Sequence, residues 1–280
     1  MTAWLQTRSG LNVLKICKNI GYFAIAITGI FGDSVSAQGH DEHSFALNFG
    51  YFLTTRDTKT RIDSPTLGIG TEIDFEEDLG LESDDSVFRL DGHFDIAARH
   101  KLLFSAYDLS RRSSKVINEE IVYGDTVFPV NTDLRTTIDF RTYKISYAYS
   151  IVHTDAGHLD LSLGAYVADV KSHLVAENIG STDTRDITAP LPVFGIRGAW
   201  YFADRWSLIG SAELFALSID DVDGRLSDFY LGTEYQAFEH VSFGLAVNSV
   251  RIDINTFEDD FTGSLDWHYD GVLGFVKVAF

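Results

Sequence analysis

The sequence predicts an all-β fold, an antiparallel transmembrane β-barrel of about ten strands. Three observations support this prediction. The chain ends in an amphipathic strand, apolar and polar side chains alternate along many segments, and long and short connections alternate between those segments. In the last strand every second side chain is apolar or small, a spacing that places these side chains on one face: Val272, Gly274, Val276, Val278 and Phe280.

This last strand resembles the C-terminal strand of Gram-negative outer-membrane β-barrels. The resemblance implies that Val276, Val278 and Phe280 belong to the signal read by the barrel-assembly machinery, which is therefore an expected partner. It also implies the outer membrane of a Gram-negative bacterium as the location.

Residues 1–37 predict a secretory signal peptide, because basic residues precede an apolar stretch at 20–31 and small residues lead up to Ala37. At ~1.5 Å per residue, this stretch is too short to cross the roughly 30 Å core of a bilayer as a helix. The protein is therefore expected to be exported without a spanning helix. The basic residues before the apolar stretch are Arg8, Lys15 and Lys18.

The predicted mature domain, residues 38–280, is strongly acidic. The whole chain has 22 Lys and Arg against 41 Asp and Glu, a formal net charge of −19, and removal of residues 1–37 takes away three basic residues and one acid. This acidity argues against nucleic acid as a partner, since phosphate binding needs clustered cations. The single cysteine, Cys17, lies in the removed segment, so the mature domain has no thiol or disulfide.

Strand periodicity is clearest at 87–97, where apolar and charged residues alternate. Four short connections alternate with longer acidic ones, as periplasmic turns alternate with outer loops in a membrane barrel. A further strand-like run at 67–75 is either a hairpin arm in the first outer loop or an extra strand paired with 59–62, so twelve strands is the alternative count. The short connections are 98–100, 153–157, 203–205 and 238–240. The ten predicted strands are 44–54, 86–97, 101–115, 133–150, 158–173, 191–202, 206–219, 225–237, 241–254 and 265–280.

The apolar face of these strands is expected to contact lipid. It is rich in aromatic residues, and several lie near short turns, as expected for an interfacial girdle. The predicted lipid-facing residues of three strands are Phe45, Leu47, Phe49, Tyr51, Tyr143, Ile145, Tyr147, Tyr149, Phe194, Ile196, Trp200 and Phe202.

Several segments resemble a proteobacterial outer-membrane barrel family that has no assigned activity. The segments are GTEIDFEEDLGL at 70–81, YGDTVFP at 123–129, DDVDGRL at 220–226 and LDWHY at 265–269. The resemblance covers essentially the whole mature chain. It implies the barrel fold and the outer-membrane location, and it brings no catalytic residues.

The polar face predicts a charged network in the lumen. A barrel of about ten strands is narrow enough for opposite charges to pair across it. The network is either a plug of ion pairs and hydrogen bonds that satisfies each buried charge, or the lining of a narrow, cation-preferring channel. The predicted lumen-facing charges are Arg89, Asp91, His93, Asp95, Asp108, Arg112, Lys144, Asp160, Arg197, Glu213, Asp228, Glu234 and Lys277.

The outer loops concentrate acidic residues. They form either a solvated acidic rim or a weak divalent-cation site that bridges to lipopolysaccharide phosphates or another partner. None of these runs has the spacing of a dedicated calcium loop, so no cofactor or metal ligand is assigned. The acidic candidates are Asp74, Glu76, Glu77, Asp78, Asp220, Asp221 and Asp223.

An enzymatic role is the weakest prediction. An omptin-like enzyme needs a carboxylate and a histidine at the outer rim, which His268 with Asp270 or Asp266 can supply. A lipid-modifying acyl enzyme needs a serine with a histidine and an acid that face lipid, and His158 with Ser162 does not make a convincing set. No catalytic residue is assigned on this basis. The leading expectation is a closed barrel with a structural or surface-interaction role, in contact with outer-membrane lipid and lipopolysaccharide. A narrow cation-preferring channel is the alternative, and the oligomeric state stays open.

Overall fold

A computed structural model describes residues 44–64, 66, 68–219, 222–258 and 261–280. The predicted signal peptide, 1–37, lies outside them. Within these residues the chain forms thirteen β-strands. They are β1 (Phe45–Ile62), β2 (Glu72–Asp74), β3 (Asp84–Ala97), β4 (His100–Val116), β5 (Ile121–Tyr123), β6 (Thr126–Phe128), β7 (Asp133–Thr154), β8 (Gly157–Ala176), β9 (Ser181–Ala203), β10 (Trp206–Ile219), β11 (Val222–Phe238), β12 (Val241–Glu258) and β13 (Phe261–Ala279). No helix among the described residues is long and apolar enough to span a membrane.

Ten strands, β1, β3, β4 and β7 to β13, form a closed antiparallel barrel in which each strand pairs with its neighbours in the chain. The barrel closes where β13 pairs with β1. At that seam the Phe280 N–H donates to the Phe45 carbonyl at 2.8 Å, and the Phe45 N–H donates to the Phe280 carbonyl at 3.1 Å. Closure satisfies the backbone groups of both terminal strands, as a hydrocarbon environment requires. The prediction of a ten-stranded barrel is confirmed.

The outward face carries a continuous apolar band around the half of the barrel that ends in the short turns. Tyr143 on β7 is 54% exposed and Trp200 on β9 is 58% exposed, and the predicted lipid-facing residues of β1, β7 and β9 all point outward. A soluble protein rarely exposes so large an apolar surface. The band is the surface that contacts lipid in a membrane barrel. Val276, Val278 and Phe280 lie on the same face.

β1 and β9 exceed their predicted lengths by the largest margins. β1 continues to Ile62 instead of ending near 54, and β9 begins at Ser181 instead of 191. β9 includes Pro190 and Pro192, although proline cannot donate a backbone hydrogen bond to a ladder. The β9–β10 ladder ends at the Phe194–Leu214 pair, so among the described residues both prolines lie where β9 pairs with β8 alone.

Two long connections fold over the loop end of the barrel, residues 63–83 after β1 and 117–132 after β4. We call their described residues the cap. β2 pairs with residues 59–61 of β1, so the predicted strand-like run at 67–75 contains a short hairpin arm and adds no strand to the barrel. β5 and β6 form a hairpin whose turn has Gly124 at φ 58°, the positive φ that the first central residue of a type II′ turn needs.

The cap has its own apolar core. The Thr71 N–H donates to the Val122 carbonyl at 2.9 Å, and the Gly124 N–H donates to the Ile62 carbonyl at 3.2 Å, so the two connections are joined to each other and to β1. This core continues into the apolar ends of the barrel strands, which fixes the cap on the barrel mouth. Its buried residues are Ile62, Ile73, Phe75, Leu79, Leu81, Ile117, Ile121, Tyr123, Phe128, Leu134, Ile138, Leu174 and Ala176.

Candidate functional site

The middle of the lumen holds a buried hydrogen-bonded chain of polar side chains. Arg89 on β3 is 5% exposed, and its Nε lies 2.9 Å from both carboxylate oxygens of Asp91. The Arg89 Nη1 donates to Asn248 Oδ1 at 2.6 Å, and Asn248 Nδ2 donates to Asp228 Oδ1 at 2.6 Å. The chain therefore crosses the lumen from β3 to β12 and β11.

Lys144 on β7 continues this chain. Its ammonium donates to Glu213 Oε2 at 2.6 Å and lies 3.5 Å from Asp228 Oδ2. Asp228 is 4% exposed and Glu213 is 5% exposed. Buried carboxylates need a cation or several hydrogen-bond donors, and one lysine serves both. We call Arg89, Asp91, Asn248, Asp228, Lys144 and Glu213 the charged plug.

Aromatic residues fill the lumen beside the charged plug. The Tyr107 hydroxyl lies 2.7 Å from the hydroxyls of both Tyr166 and Tyr269. Trp267 is 2% exposed, and its ring centroid lies 3.6 Å from that of Phe140 and 4.8 Å from that of Tyr269. These rings belong to one apolar cluster to which all ten barrel strands contribute a buried residue. The middle of the barrel is a packed core, as the narrow interior of a small barrel favours.

Arg111 on β4 joins the cap to the barrel. Its guanidinium pairs with Glu76 of the cap and donates through Nη2 to Thr58 Oγ1 at 2.8 Å and through Nη1 to the Glu82 carbonyl at 3.3 Å. Glu76 also accepts from the Thr58 N–H at 2.8 Å. The nearby Arg56 lies 3.4 Å from Asp85. One buried cation therefore connects β1, β4 and the first connection.

Most acidic candidates in the first connection have structural roles. Asp74 Oδ1 accepts from the N–H groups of Glu76 and Glu77, and Asp78 accepts from the Asp74 N–H at 2.9 Å, which stabilises the turn after β2. Asp223 lies on β11 instead of in a loop, whereas Asp220 and Asp221 lie outside the described residues. Among the described residues, no group of three or more potential ligands is arranged to hold a metal ion.

The β5–β6 hairpin is also fixed to the barrel. The Tyr123 hydroxyl lies 2.7 Å from Ser172 Oγ on β8, and Thr126 Oγ1 donates to Asp183 on β9 at 2.9 Å. Burial raises the pKa of Tyr123 to about 12, so its hydroxyl stays neutral and hydrogen-bonded at physiological pH. The second connection thus contacts strands on the side of the barrel mouth opposite β1.

We expect Arg111→Ala to release the cap while the barrel stays folded. The substitution leaves Glu76 half-buried without its cation, and each charge-assisted hydrogen bond contributes about 1.5–3 kcal/mol. Protease cleavage within 63–83 should therefore accelerate about tenfold or more, measured by limited proteolysis of the folded protein. Arg61→Ala is the control, because Arg61 pairs at 2.7 Å with Asp63, its neighbour two residues further along the chain, whereas Arg111 joins the first connection to a different strand, β4. Equal cleavage rates in the two variants would contradict this role of Arg111.

Most of the other predicted lumen charges lie toward the short-turn end. Lys277 pairs with Glu234 at 3.2 Å, and Asp95 lies 3.6 Å from Lys101. Asp160 accepts from Ser150 Oγ at 2.6 Å, and His158 lies 3.6 Å from its other oxygen. His93 and Arg197 line the same end of the lumen.

Asp108 and Arg112 correct the predicted lumen set, because both point outward. On β4 the inward positions are the odd ones, from Lys101 through Tyr107 to Arg111. The outward Asp108 lies 3.2 Å from Arg141 on β7. Asp108 and Arg112 belong to a band of charged side chains on the outward face, between the apolar band and the loop end of the barrel. We call this band the polar collar. Eight strands contribute charged residues to it, among them Asp57, Lys59, Arg61, Asp108, Arg112, Arg135, Asp139, Arg141, Asp169, Lys171, Asp186, Arg225, Arg251, Asp253, Asp266, His268 and Asp270.

The histidine–carboxylate pair considered for catalysis also lies on the collar. His268 Nε2 is 2.8 Å from Asp270 Oδ2, and both side chains point away from the lumen. Asp266 shares this outward face. The barrel wall therefore separates the pair from the lumen.

Sequence reasoning missed several residues of the site. Asn248 connects two charged groups, yet a lone asparagine in a strand carries no distinctive signal. Arg111 could have been found, since it lies an even number of residues from the inward Leu103 and Tyr107. The adjacent Arg112 made it unclear which of the two arginines faces the lumen. Arg56 lies beyond the predicted end of the first strand.

The closed barrel and its outward apolar band define a membrane β-barrel of the outer-membrane type. No family model matches the chain, and no curated protein matches it. Among solved structures it is similar to the outer membrane protease OmpT from Escherichia coli, with 8% identity over 89% of this chain and 99% of that chain and a TM-score of 0.58. It also matches the translocator domain of the autotransporter NalP from Neisseria meningitidis, with 9% identity over 86% of this chain and 90% of that one and a TM-score of 0.47. OprG from Pseudomonas aeruginosa matches with 15% identity over 86% of this chain and 99% of that one and a TM-score of 0.38. At these identities the likeness to OmpT shows the fold alone.

Proposed function

We propose that the protein is a closed, non-conducting outer-membrane barrel with a structural and surface-interaction role. The observation that carries this proposal is the filled lumen, in which the charged plug and the aromatic rings are buried halfway along the barrel. A conducting channel needs a continuous water-filled path, and its lining charges face that path. Here the central charges are paired with one another instead.

The orientation follows from the two ends of the barrel. The short turns at 98–99, 155–156, 204–205 and 239–240 resemble periplasmic turns, and the cap lies at the opposite, outer end. Resemblance of several segments to an outer-membrane barrel family without assigned activity supports this location. In this orientation the cap is the surface presented outside the cell. The last strand ends with Phe280 on the periplasmic side, where the barrel-assembly machinery would read it.

The polar collar supports lipopolysaccharide as a partner. It starts where the apolar band ends, for example at Arg141 two residues beyond Tyr143, which is the height of the lipid phosphates in the outer leaflet. Some collar cations are neutralised by neighbouring acids, but Arg112, Arg225 and Arg251 form no ion pair within the described residues. Exposed guanidinium groups at this height suit bidentate contacts with lipid phosphates.

The test compares lipopolysaccharide with phosphatidylglycerol as stabilisers of the refolded protein. We expect lipopolysaccharide to raise the temperature at which the folded, fast-migrating form is lost, and the triple variant R112Q/R225Q/R251Q to lose most of that increase. Arg99→Gln is the matched control, since Arg99 lies in a turn at the opposite end. An equal increase for the wild type and the triple variant would refute the collar as the lipopolysaccharide contact.

A further inference from the structure

The short-turn end of the lumen opens into a cavity of about 110 Å³, which we call the vestibule. Residues from nine strands and two turns line it. A cavity needs only about 10–15 Å³ to hold one water molecule, so the vestibule has room for a small polyatomic ion or a lipid headgroup. Its charged and imidazole residues are His93, Lys101, His158, Arg197, Asp204, Arg205, Glu234, Glu239, His240 and Lys277.

Two of the vestibule cations already have carboxylate partners. Lys277 lies 3.2 Å from Glu234 Oε1, and Lys101 lies 3.6 Å from Asp95 Oδ2. These two pairs fix the positions of both ammonium groups on the wall. The other two acidic residues of the lining, Asp204 and Glu239, lie in the two turns at the rim of the barrel.

Arg197 is that third cation. Its neighbour across the β8–β9 ladder is Asp160, but the Asp160 carboxylate is engaged by Ser150 and lies near His158 instead. Arg197 is half-buried, and it forms no hydrogen bond or ion pair with any other residue that the structure describes. A guanidinium has five N–H donors, and Arg197 lines the vestibule, where a ligand can reach it. A ligand with several acceptor oxygens would satisfy them.

We propose that the vestibule binds a phosphate group, with the Arg197 guanidinium as the bidentate donor. Guanidinium matches the geometry of two phosphate oxygens, and such pairs are stronger than neutral hydrogen bonds. His93, Ser207 and Ser242 line the same cavity and can donate to the remaining oxygens. The phosphate group belongs either to a free inorganic anion or to a phospholipid headgroup of the inner leaflet.

The experiment titrates the folded wild-type protein in detergent with inorganic phosphate and, separately, with short-chain phosphatidic acid, at constant ionic strength. Calorimetry should show saturable binding of one ligand per barrel. Arg197→Gln should weaken binding about tenfold or more, and Arg197→Lys should weaken it less, because lysine keeps the charge but loses the bidentate fork. Arg99→Gln, a turn residue outside the vestibule, should bind as the wild type does.

Binding of inorganic phosphate identifies a soluble anion as the ligand, and binding of phosphatidic acid alone identifies a headgroup. Migration of the folded form before and after heating shows whether each variant is folded. The proposal is overturned if the wild type binds neither ligand saturably, or if folded Arg197→Gln or Arg197→Lys binds as tightly as the wild type. The wild-type titration shows whether the barrel binds either ligand saturably, even if neither Arg197 variant folds.

Discussion

Replacing Lys144 with alanine is expected to destabilise the barrel by about 3–5 kcal/mol, the usual cost of breaking a buried ion pair by removing one partner. The ammonium lies between Glu213 and Asp228, at 2.6 Å and 3.5 Å. Without it, two buried carboxylates face each other, and repulsion adds to the cost of their desolvation. The measurement is the free energy of unfolding from denaturant titration of the refolded protein in lipid.

Lys171→Ala is the matched control for Lys144→Ala. Lys171 pairs with Asp186 at a similar distance of 2.9 Å, but both groups are exposed on the outward face. Exposed pairs gain little because solvent screens them, so this variant should unfold close to the wild-type denaturant concentration. If the two lysine variants were equally stable, the charged plug would not hold the lumen together.

Trp267→Ala is expected to cost about 3–5 kcal/mol, the range for removing a buried aromatic side chain. The indole packs between Phe140 and Tyr269 inside the barrel, and the surrounding strands cannot collapse to fill the space because their ladders fix their positions. Cavity formation therefore adds to the lost burial. The same unfolding titration measures the effect.

Trp200→Ala is the control for the aromatic prediction. Trp200 is as large as Trp267 but lies on the outward apolar band, where lipid fills the space that the side chain leaves. The loss should be clearly smaller than for Trp267. A Trp267→Ala variant as stable as Trp200→Ala would contradict a packed lumen.

The sequence predicts the barrel well where one face of a strand is apolar. On β3 the alternation of Phe88, Leu90 and Phe94 with charged residues locates the strand and its orientation. The outer half of β1 lacks this signal because both faces are polar, with Arg56 and Thr58 inward and Asp57 and Lys59 outward. The length of a strand beyond the lipid-facing band therefore cannot be predicted from the alternation of apolar and polar residues.

The partners within the site are less predictable than its members. The alternation of inward and outward positions identifies Lys144 and Glu213 individually as lumen-facing. They are 69 positions apart, however, and their contact depends on how the ten strands close into a barrel. The same holds for Arg111 and Glu76, which meet only because the first connection folds back over the barrel mouth. The lumen-facing residue is assigned wrongly where two similar residues are adjacent, as with Arg111 and Arg112.

Single-channel recording in a planar bilayer tests the closed barrel most directly. The wild-type protein, first shown to be folded by its heat-modifiable migration, should insert without producing current steps, whereas a general porin in the same bilayer should conduct. Steady, cation-selective steps from the wild type, altered by Arg89→Gln or Lys144→Gln, would show that the charged plug lines an open channel and would contradict the account.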